Sequence, residues 1–139
     1  MAKYLWLDAV IYQTPAWWME APAALKSYED DVFGGPAMIT GDGRHHENPA
    51  VNYGTGGKLK GRYMISSTWN APLNAFLAPD EFFEGKGIDA TFFGLHKANQ
   101  FIGLKPLPSF MCNDVIKNPT LESDIERLKA HLEKVFGRA

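Results

Sequence analysis

Cysteine and long apolar runs are both scarce in this chain of 139 residues. The only cysteine, Cys112, has no second thiol with which to form an internal disulfide or a paired-cysteine metal motif, so we expect a thiol in the core. No stretch approaches the roughly 18 consecutive apolar residues of a membrane span, and nothing near the N-terminus resembles the apolar core of a signal peptide. These absences predict a protein without a membrane span that resides in the cytoplasm.

An excess of charge of either sign is missing as well. Fourteen lysines and arginines stand against 16 aspartates and glutamates, and no basic run is long enough to follow a phosphate backbone. We therefore expect no nucleic-acid partner. The adjacent His45 and His46 lie in a stretch rich in glycine and charge, where solvated side chains are commoner than metal ligands, and we assign no metal site.

Aromatic residues, by contrast, are abundant at 13% of the chain, and they are clustered. They occur as Trp17-Trp18, Trp69, Phe82-Phe83 and Phe92-Phe93. Clusters of this kind suit a deep core, a planar ligand, or both. With 45% hydrophobic residues the chain has enough apolar surface for one packed domain, which we place at residues 1–139.

Three short apolar runs indicate strands, and each is followed by a segment with helical periodicity. The strands are predicted near residues 9–13, 63–68 and 109–113. The helices are predicted from about Ala21 to Val32, from Ile88 to Ile102 with Gly103 as its cap, and from Leu121 to Val135. Residues 34–61 have no sustained period, and we interpret them as a surface excursion.

Alternating strands and helices predict an α/β fold with three layers and a parallel sheet, whose strands follow in the order first, second, third. Residues 9–13 form a continuous apolar run, which is typical of a strand buried on both faces. Three strands are few for this architecture, so we expect a further part of the structure to lie beside residues 9–13.

The loops after the first two strands are the candidate ligand site, because open parallel sheets bind ligands at the carboxyl ends of their strands. These loops hold Pro15-Ala16-Trp17-Trp18-Met19 and Thr68-Trp69-Asn70-Ala71-Pro72. A flat redox ring needs aromatic surface for stacking and rigid turns whose backbone N–H groups bond its polar edge, and both loops offer this combination. Tryptophans that only fill the core are the alternative interpretation.

Six separated motifs, in order, resemble those of the bacterial modulator-of-drug-activity-B family, and the resemblance runs from about Tyr4 to Gly137. They are Gln13–Met19, Lys26–Phe33, Tyr53–Gly57, Thr68–Pro72, His96–Phe101 and Cys112–Lys117. Members of this family are flavodoxin-like NAD(P)H:quinone reductases that bind FAD. The resemblance therefore implies a flavodoxin-like fold, FAD and NADPH or NADH as cofactors, and a quinone substrate.

The resemblance also implies roles for particular residues. One border of the flavin ring would be formed by Pro15, Ala16, Trp17, Trp18 and Met19, and the other by Thr68, Trp69, Asn70 and Ala71. Tyr53 would reach in from the excursion toward the ring or the quinone. Hydride would pass from NAD(P)H to the flavin and then to the quinone, so no protein nucleophile is required and we assign no catalytic residue.

Compared with the family pattern, we expect the chain to lack the first strand and the turn that holds the flavin phosphates at a helix N-terminus. The fold would then be an incomplete flavodoxin-like domain, and the isolated chain would be inactive or need a homo-oligomer or a complementing N-terminal segment. The sequence is also compatible with two alternatives. One is a non-enzymatic, partner-binding remnant that uses an exposed strand edge, and the other is a binder of small hydrophobic ligands without redox activity.

Overall fold

The computed structural model of the chain describes residues 2–137, which form a parallel sheet with helices on its two faces. The strands are β1 (Ala9–Pro15), β2 (Arg62–Thr68), β3 (Lys105–Pro106) and β4 (Phe110–Cys112). The helices are α1 (Ala23–Phe33), α2 (Asn74–Leu77), α3 (Gly87–Thr91), α4 (Phe93–Phe101) and α5 (Leu121–Phe136), preceded by one 3₁₀ turn at Ala2–Leu5. Within the described residues, no helix is long and apolar enough to cross a membrane.

The sheet confirms the predicted strands, their parallel pairing and their order. β2 pairs along its whole length with β1, and on its other side it pairs with β3 and then β4. The two-residue strand β3 and the short helix α2 were not predicted, because segments of two to four residues carry too little periodicity to be detected. β1 also extends two residues beyond the predicted residues 9–13, through Pro15. The proline is tolerated because β1 is an edge strand of the described sheet and the Pro15 nitrogen faces away from β2.

The first face of the sheet carries most of the core. Tyr12 of β1 and Ile65 of β2 are registered neighbours that point to this face, where they join a cluster of buried apolar residues. Helix α4 covers this face. Its Asn99 accepts a hydrogen bond from Tyr12 of β1, and its His96 shares one with the hydroxyl of Tyr63 in β2. Helix α1 adds Val32 to the same cluster. Burial of this apolar surface is the main stabilising contribution to the fold.

The second face is covered only in part. Helix α5 lies over β4, where the rings of His131 and Phe110 are 5.5 Å apart and Arg127 donates to the Met111 carbonyl. Over β1, however, Ile11 is 44% exposed and Gln13 is exposed as well. The prediction that residues 9–13 are buried on both faces is therefore wrong for the part of the chain that the structure describes.

Two predicted segments differ in detail from what is found. The single helix expected from Ile88 to Ile102 is divided into α3 and α4 at Phe92, whose ring is buried and whose backbone leaves the helical region. The excursion at residues 34–61 is only partly on the surface, because its Met38 and Leu59 belong to the core. Gly103 adopts a left-handed φ of 100°, and a Cβ there would lie 2.5 Å from the Leu59 carbonyl oxygen.

Candidate functional site

The loops that follow β1, β2 and β4 meet at one edge of the sheet. The Ala16 amide donates to the Thr68 carbonyl (3.0 Å), which extends the pairing of β1 with β2 by one residue. The Trp69 amide donates to the Cys112 carbonyl (2.9 Å) in the same way. The two predicted ring-binding loops are therefore neighbours at the carboxyl ends of the strands, where ligands bind in sheets of this type.

The loop after β1 forms a tight, strained turn. Trp17 and Glu20 exchange backbone hydrogen bonds of 2.8 and 3.1 Å, and between them Trp18 and Met19 both have positive φ angles, of 51° and 68°. Non-glycine residues rarely adopt this conformation, and it is found disproportionately at functional sites. The turn leaves the Trp18 side chain 96% exposed, and neither the Trp18 nor the Met19 amide bonds to another group of residues 2–137.

Trp69, in the loop after β2, has a different environment. Its side chain is only 4% exposed, and its indole N–H donates to the Ser67 hydroxyl (3.0 Å). Its ring packs edge-on against three phenylalanines, Phe76, Phe83 and Phe92, at centroid distances of 5.0 to 5.7 Å. Trp69 therefore belongs to an aromatic core that supports the loop, whereas Trp18 offers its whole ring to a ligand.

The remaining residues of the second loop are close to the sheet edge. Thr68 is half-buried and borders a groove on the second face, and Asn70 is exposed. The Ala71 carbonyl accepts hydrogen bonds from the Asp114 amide (3.2 Å) and the Asn113 side chain (3.3 Å). These bonds fix the loop against the segment after β4, which makes it a rigid border.

A cavity of about 360 Å³ opens beside the Trp17–Glu20 turn. Residues 82–84 and Lys86 form much of its wall, together with residues of the turn and of α3: Met19, Glu20, Phe82, Phe83, Glu84, Lys86, Ala90 and Thr91. Of these eight lining residues, only Met19 was predicted as a site residue. The adjacent phenylalanines were the available signal, because a pair of aromatics in a segment without periodicity has no obvious place in a helix or strand.

The charges at the mouth of this cavity are mostly negative. The carboxylates of Glu20 and Glu84 both line it, and Lys86 is the one cation among its lining residues within the described chain. Lys86 forms an ion pair with Glu84, which holds the pKa of that carboxyl below its ordinary value. The cavity thus combines apolar rings with a mildly acidic rim.

A second cavity, of about 490 Å³, lies on the second face of the sheet between the strands and α5. Its floor includes Gln13, Ser66 and Thr68, and its walls are mostly apolar, with Leu121 and Ile125 from α5. Cys112 also lines it, half-buried rather than in the closed core. Burial raises the pKa of this thiol, so Cys112 is not poised to act as a nucleophile.

Tyr53 is the predicted site residue that the structure does not bring near the others. Its ring is 70% exposed and lies 5.6 Å from that of Phe101, the last residue of α4. The aromatic core around Trp69 instead contacts Phe92, at the other end of this helix. Nine helical residues rise roughly 13 Å, so within one chain Tyr53 is separated from the Trp17–Glu20 turn.

Comparison with known proteins identifies the class of protein to which this chain belongs. The chain matches the family of the flavodoxin-like fold over residues 1–135, and it belongs to that family. It is 51% identical over 138 residues to NADPH:quinone oxidoreductase MdaB of Haemophilus influenzae, with 97% of this chain and 72% of that protein covered. The resemblance inferred from the six motifs and the flavodoxin-like fold that it implied are both confirmed.

Solved structures agree with this assignment. A crystal structure from Klebsiella pneumoniae, described as a candidate quinone reductase, has a TM-score of 0.74 and 25% identity, and the match covers 96% of this chain and 50% of that one. General stress protein 14 of Treponema denticola, crystallised with FMN, has a TM-score of 0.62 and 14% identity, with 94% and 68% covered. At this identity the second likeness shows the fold alone.

Proposed function

We propose that this chain functions in the cytoplasm as an FAD-dependent NAD(P)H:quinone oxidoreductase, which reduces a quinone by two electrons. The identity to an NADPH:quinone oxidoreductase over nearly the whole chain supports the reaction class. A flavin in a protein of the same fold supports the type of cofactor, although that flavin is FMN. FAD itself follows from the resemblance to the modulator-of-drug-activity-B family.

The observation that carries this proposal is the Trp17–Glu20 turn. It holds an exposed indole and two amides that are not bonded within residues 2–137 at the carboxyl edge of the sheet. A flavin ring needs this combination, because its faces stack on apolar surface while its carbonyls and N5 accept or share hydrogen bonds. In this role Pro15, Ala16 and Met19 would contact one border of the ring, and Thr68, Asn70 and Ala71 the other. Trp69 would contribute indirectly, because its packing in the aromatic core keeps the second loop rigid.

The 360 Å³ cavity is the natural place for the two substrates. Phe82 and Phe83 give it apolar walls against which a nicotinamide or a quinone can lie, and its volume is within the usual range for small ligands. A bound flavin supplies the hydride chemistry. The residues of the chain bind and orient the rings and exclude water, so no side chain has to react.

The described residues that we assign to the site contact the flavin ring, and none is assigned to the phosphates of FAD. Two helices that begin at this edge of the sheet are poorly suited to a diphosphate. Helix α5 carries Glu122 and Asp124 in its first turn, and these carboxylates repel it. Helix α1 is preceded by Glu20 and by Pro22, which has no N–H to donate. We therefore include in the proposal a further polypeptide segment, N-terminal or separate, that supplies the phosphate contacts. The edge of β1 that pairs with no strand of the described residues, and the 490 Å³ cavity beside it, are suited to receive such a segment.

A homo-oligomer is the other form of complementation that we propose. Because Tyr53 is separated from the Trp17–Glu20 turn within one chain, it could approach the ring only from a second copy. In that arrangement the exposed Tyr53 ring of one subunit would cover the substrate cavity of its neighbour. Under either form of complementation, flavin binding depends on a second component, which is a further polypeptide segment or a second copy of the chain.

A second candidate function is supported by the free edge of β1. No strand of residues 2–137 pairs with the outer edge of β1, so another protein could extend the sheet there by pairing, without any redox reaction. The two candidates differ in a simple property, since only the reductase binds flavin. A colourless protein that captures one defined partner through β1 would favour the second candidate.

The test is reconstitution. The chain would be co-expressed with an N-terminal segment of the Haemophilus influenzae relative, and FAD and FMN would each be titrated while flavin fluorescence is followed. We expect FAD to bind more tightly than FMN, and the complex to oxidise NADPH when 1,4-benzoquinone is added. Tight FAD binding without NADPH oxidation would contradict the reductase. No flavin binding by the reconstituted protein would contradict the site as well.

A further inference from the structure

Helices α1 and α4 enclose a groove that is separate from the proposed flavin site. It consists of a cavity of about 460 Å³ and a second of about 300 Å³, and the two share Lys26, Glu29 and Ala98 in their walls. Small residues line the first cavity on both sides: Ala21 and Ala23 from the start of α1 and the segment before it, and Gly94 and Ala98 from α4. Of the residues lining the aromatic cavity beside the Trp17–Glu20 turn, this first cavity shares Glu20 alone.

The side chain of Glu29 is built into the wall of both cavities. This residue is only 6% exposed, and its Oε1 atom is buried without a hydrogen-bond partner among residues 2–137. The neighbouring cation does not satisfy it, because Lys26 pairs with Asp30 at the surface of the helix. Buried oxygens in folded proteins nearly always have a donor. An unpartnered carboxylate beside an open groove therefore calls for a donor from outside the chain.

The charges around the groove select for a cation. From α1 and the preceding turn, Glu20, Glu29 and Asp30 face the cavities, against Lys26 alone. Helix α4 adds no charged residue to either wall, and on the inner side Glu29 faces the un-ionised phenols of Tyr4 and Tyr12. Burial raises the pKa of Glu29 to about 7, so a cation that binds beside it would hold it ionised and release a proton.

We propose that the groove between α1 and α4 binds a small organic cation, an amine or amidine on a short apolar body, whose N–H groups donate hydrogen bonds to the carboxylate of Glu29. The apolar body would lie along Ala21, Leu95 and Ala98, and the cavity volume suits a ligand the size of one aromatic ring. This site does not require the flavin, the nicotinamide or the quinone. It holds equally if the chain has another function.

Benzamidine is the probe, and calorimetric titration at pH 7.5 is the measurement. We expect a dissociation constant of about 1 mM or below for the unmodified protein. In Glu29→Gln the affinity should fall at least tenfold, on the order of 1.4 kcal/mol. Asp31→Asn, which removes an exposed carboxylate from the same helix, should bind as the unmodified protein does. Titrations in two buffers of different ionisation enthalpy should show proton release that is lost in Glu29→Gln.

Two further arms make the result decisive. Benzyl alcohol has the same ring without the charge and should bind at least tenfold more weakly than benzamidine. Ala98→Leu should block the groove while leaving Glu29 in place, and circular dichroism would confirm that both variants are folded. Equal affinity for the two probes, or an unchanged affinity in Glu29→Gln, would overturn the proposal. The proposal would also be overturned if calorimetry shows no benzamidine binding and sedimentation shows that a second copy of the chain fills the groove.

Discussion

The hydroxyl of Tyr12 donates a 2.6 Å hydrogen bond to the Oδ1 atom of Asn99, and so connects β1 to α4 across 87 residues of sequence. Both side chains are buried, and the phenol of Tyr4 bonds to that of Tyr12 at 2.8 Å. Asn99 in turn donates to the Leu95 carbonyl within its own helix. The chain of bonds therefore joins the first segment of the protein, the edge strand and the helix that covers it. Burial raises the pKa of both phenols, so the network stays neutral.

Tyr12→Phe should lower the free energy of unfolding by about 1 to 3 kcal/mol, because it leaves the buried Asn99 oxygen without a donor. Urea unfolding at a fixed protein concentration measures this change. Tyr53→Phe is the matched control, since its exposed hydroxyl has no hydrogen bond to the described residues and its loss should change stability by less than about 0.5 kcal/mol. Equal effects of the two substitutions would show that the network contributes nothing.

Trp18→Ala should weaken FAD binding by the reconstituted protein by about 1 to 3 kcal/mol, the scale of one stacked aromatic. Its effect on stability should be small, because the side chain is almost fully exposed. Trp6→Ala removes another exposed tryptophan, at the opposite ends of the strands, and should leave FAD binding unchanged. Fluorescence titration with FAD compares them. If both variants bind FAD as the unmodified protein does, the turn is not the ring site.

Asn70→Ala should also weaken FAD binding, by about 1 to 3 kcal/mol, if its exposed amide bonds the polar edge of the ring. Asn48→Ala, in the excursion, is the corresponding control because its side chain is exposed and makes no hydrogen bond within residues 2–137. The same titration applies. A loss in both variants would indicate a general effect on folding rather than a contact with the ring.

The strands and the two loops could be predicted from the sequence because apolar runs and their flanking prolines and tryptophans are local signals. The different environments of Trp18, which is exposed, and Trp69, which is part of the core, could not be predicted. Both follow a strand in similar sequence surroundings, and only the packing of Phe76, Phe83 and Phe92 makes one of them core. The burial of Glu29 was equally hidden, since a glutamate on an amphipathic helix is normally solvated.

Glu29 gives the protein a predictable dependence on pH. Its folded pKa of about 7 is above the ordinary 4.5, so ionisation is harder in the folded state. This costs nothing below about pH 4.5, where the residue is protonated in both states, and the cost grows until it is complete above about pH 7. Each pKa unit corresponds to about 1.4 kcal/mol, and solvent in the groove reduces the effect, so we expect about 1 to 3 kcal/mol.

Glu29→Gln should therefore increase the free energy of unfolding at pH 8 by that amount, and by much less at pH 4.5. Urea unfolding over this pH range tests the expectation, with Asp31→Asn as a control whose carboxylate is exposed on the same helix. A gain of stability that is the same at both pH values would mean that Glu29 is not held neutral by burial.

The unpaired edge of β1 should make the isolated chain self-associate. The Asp8 carbonyl and the Ala16 amide both bond to the β2 side. In a parallel strand successive residues bond to opposite sides, so the backbone groups of Ile11 and Gln13 point to the side where no strand of the described chain lies. Unpaired backbone groups beside an exposed apolar face invite pairing with another chain.

Gln13→Pro should reduce this association, because it removes an outward N–H without removing a bond to β2. Ile11→Lys should reduce it by another route, by placing a charge on the uncovered face. Sedimentation velocity over a range of concentrations would compare both variants with the unmodified chain, and with Ser27→Lys as a charge control on the exposed side of α1. A complete domain has roughly 5 to 15 kcal/mol of stability, and leaving the outer edge of β1 unpaired should remove much of it. An unmodified chain that stays monomeric and unfolds cooperatively would therefore contradict both the association and the need for a complementing segment.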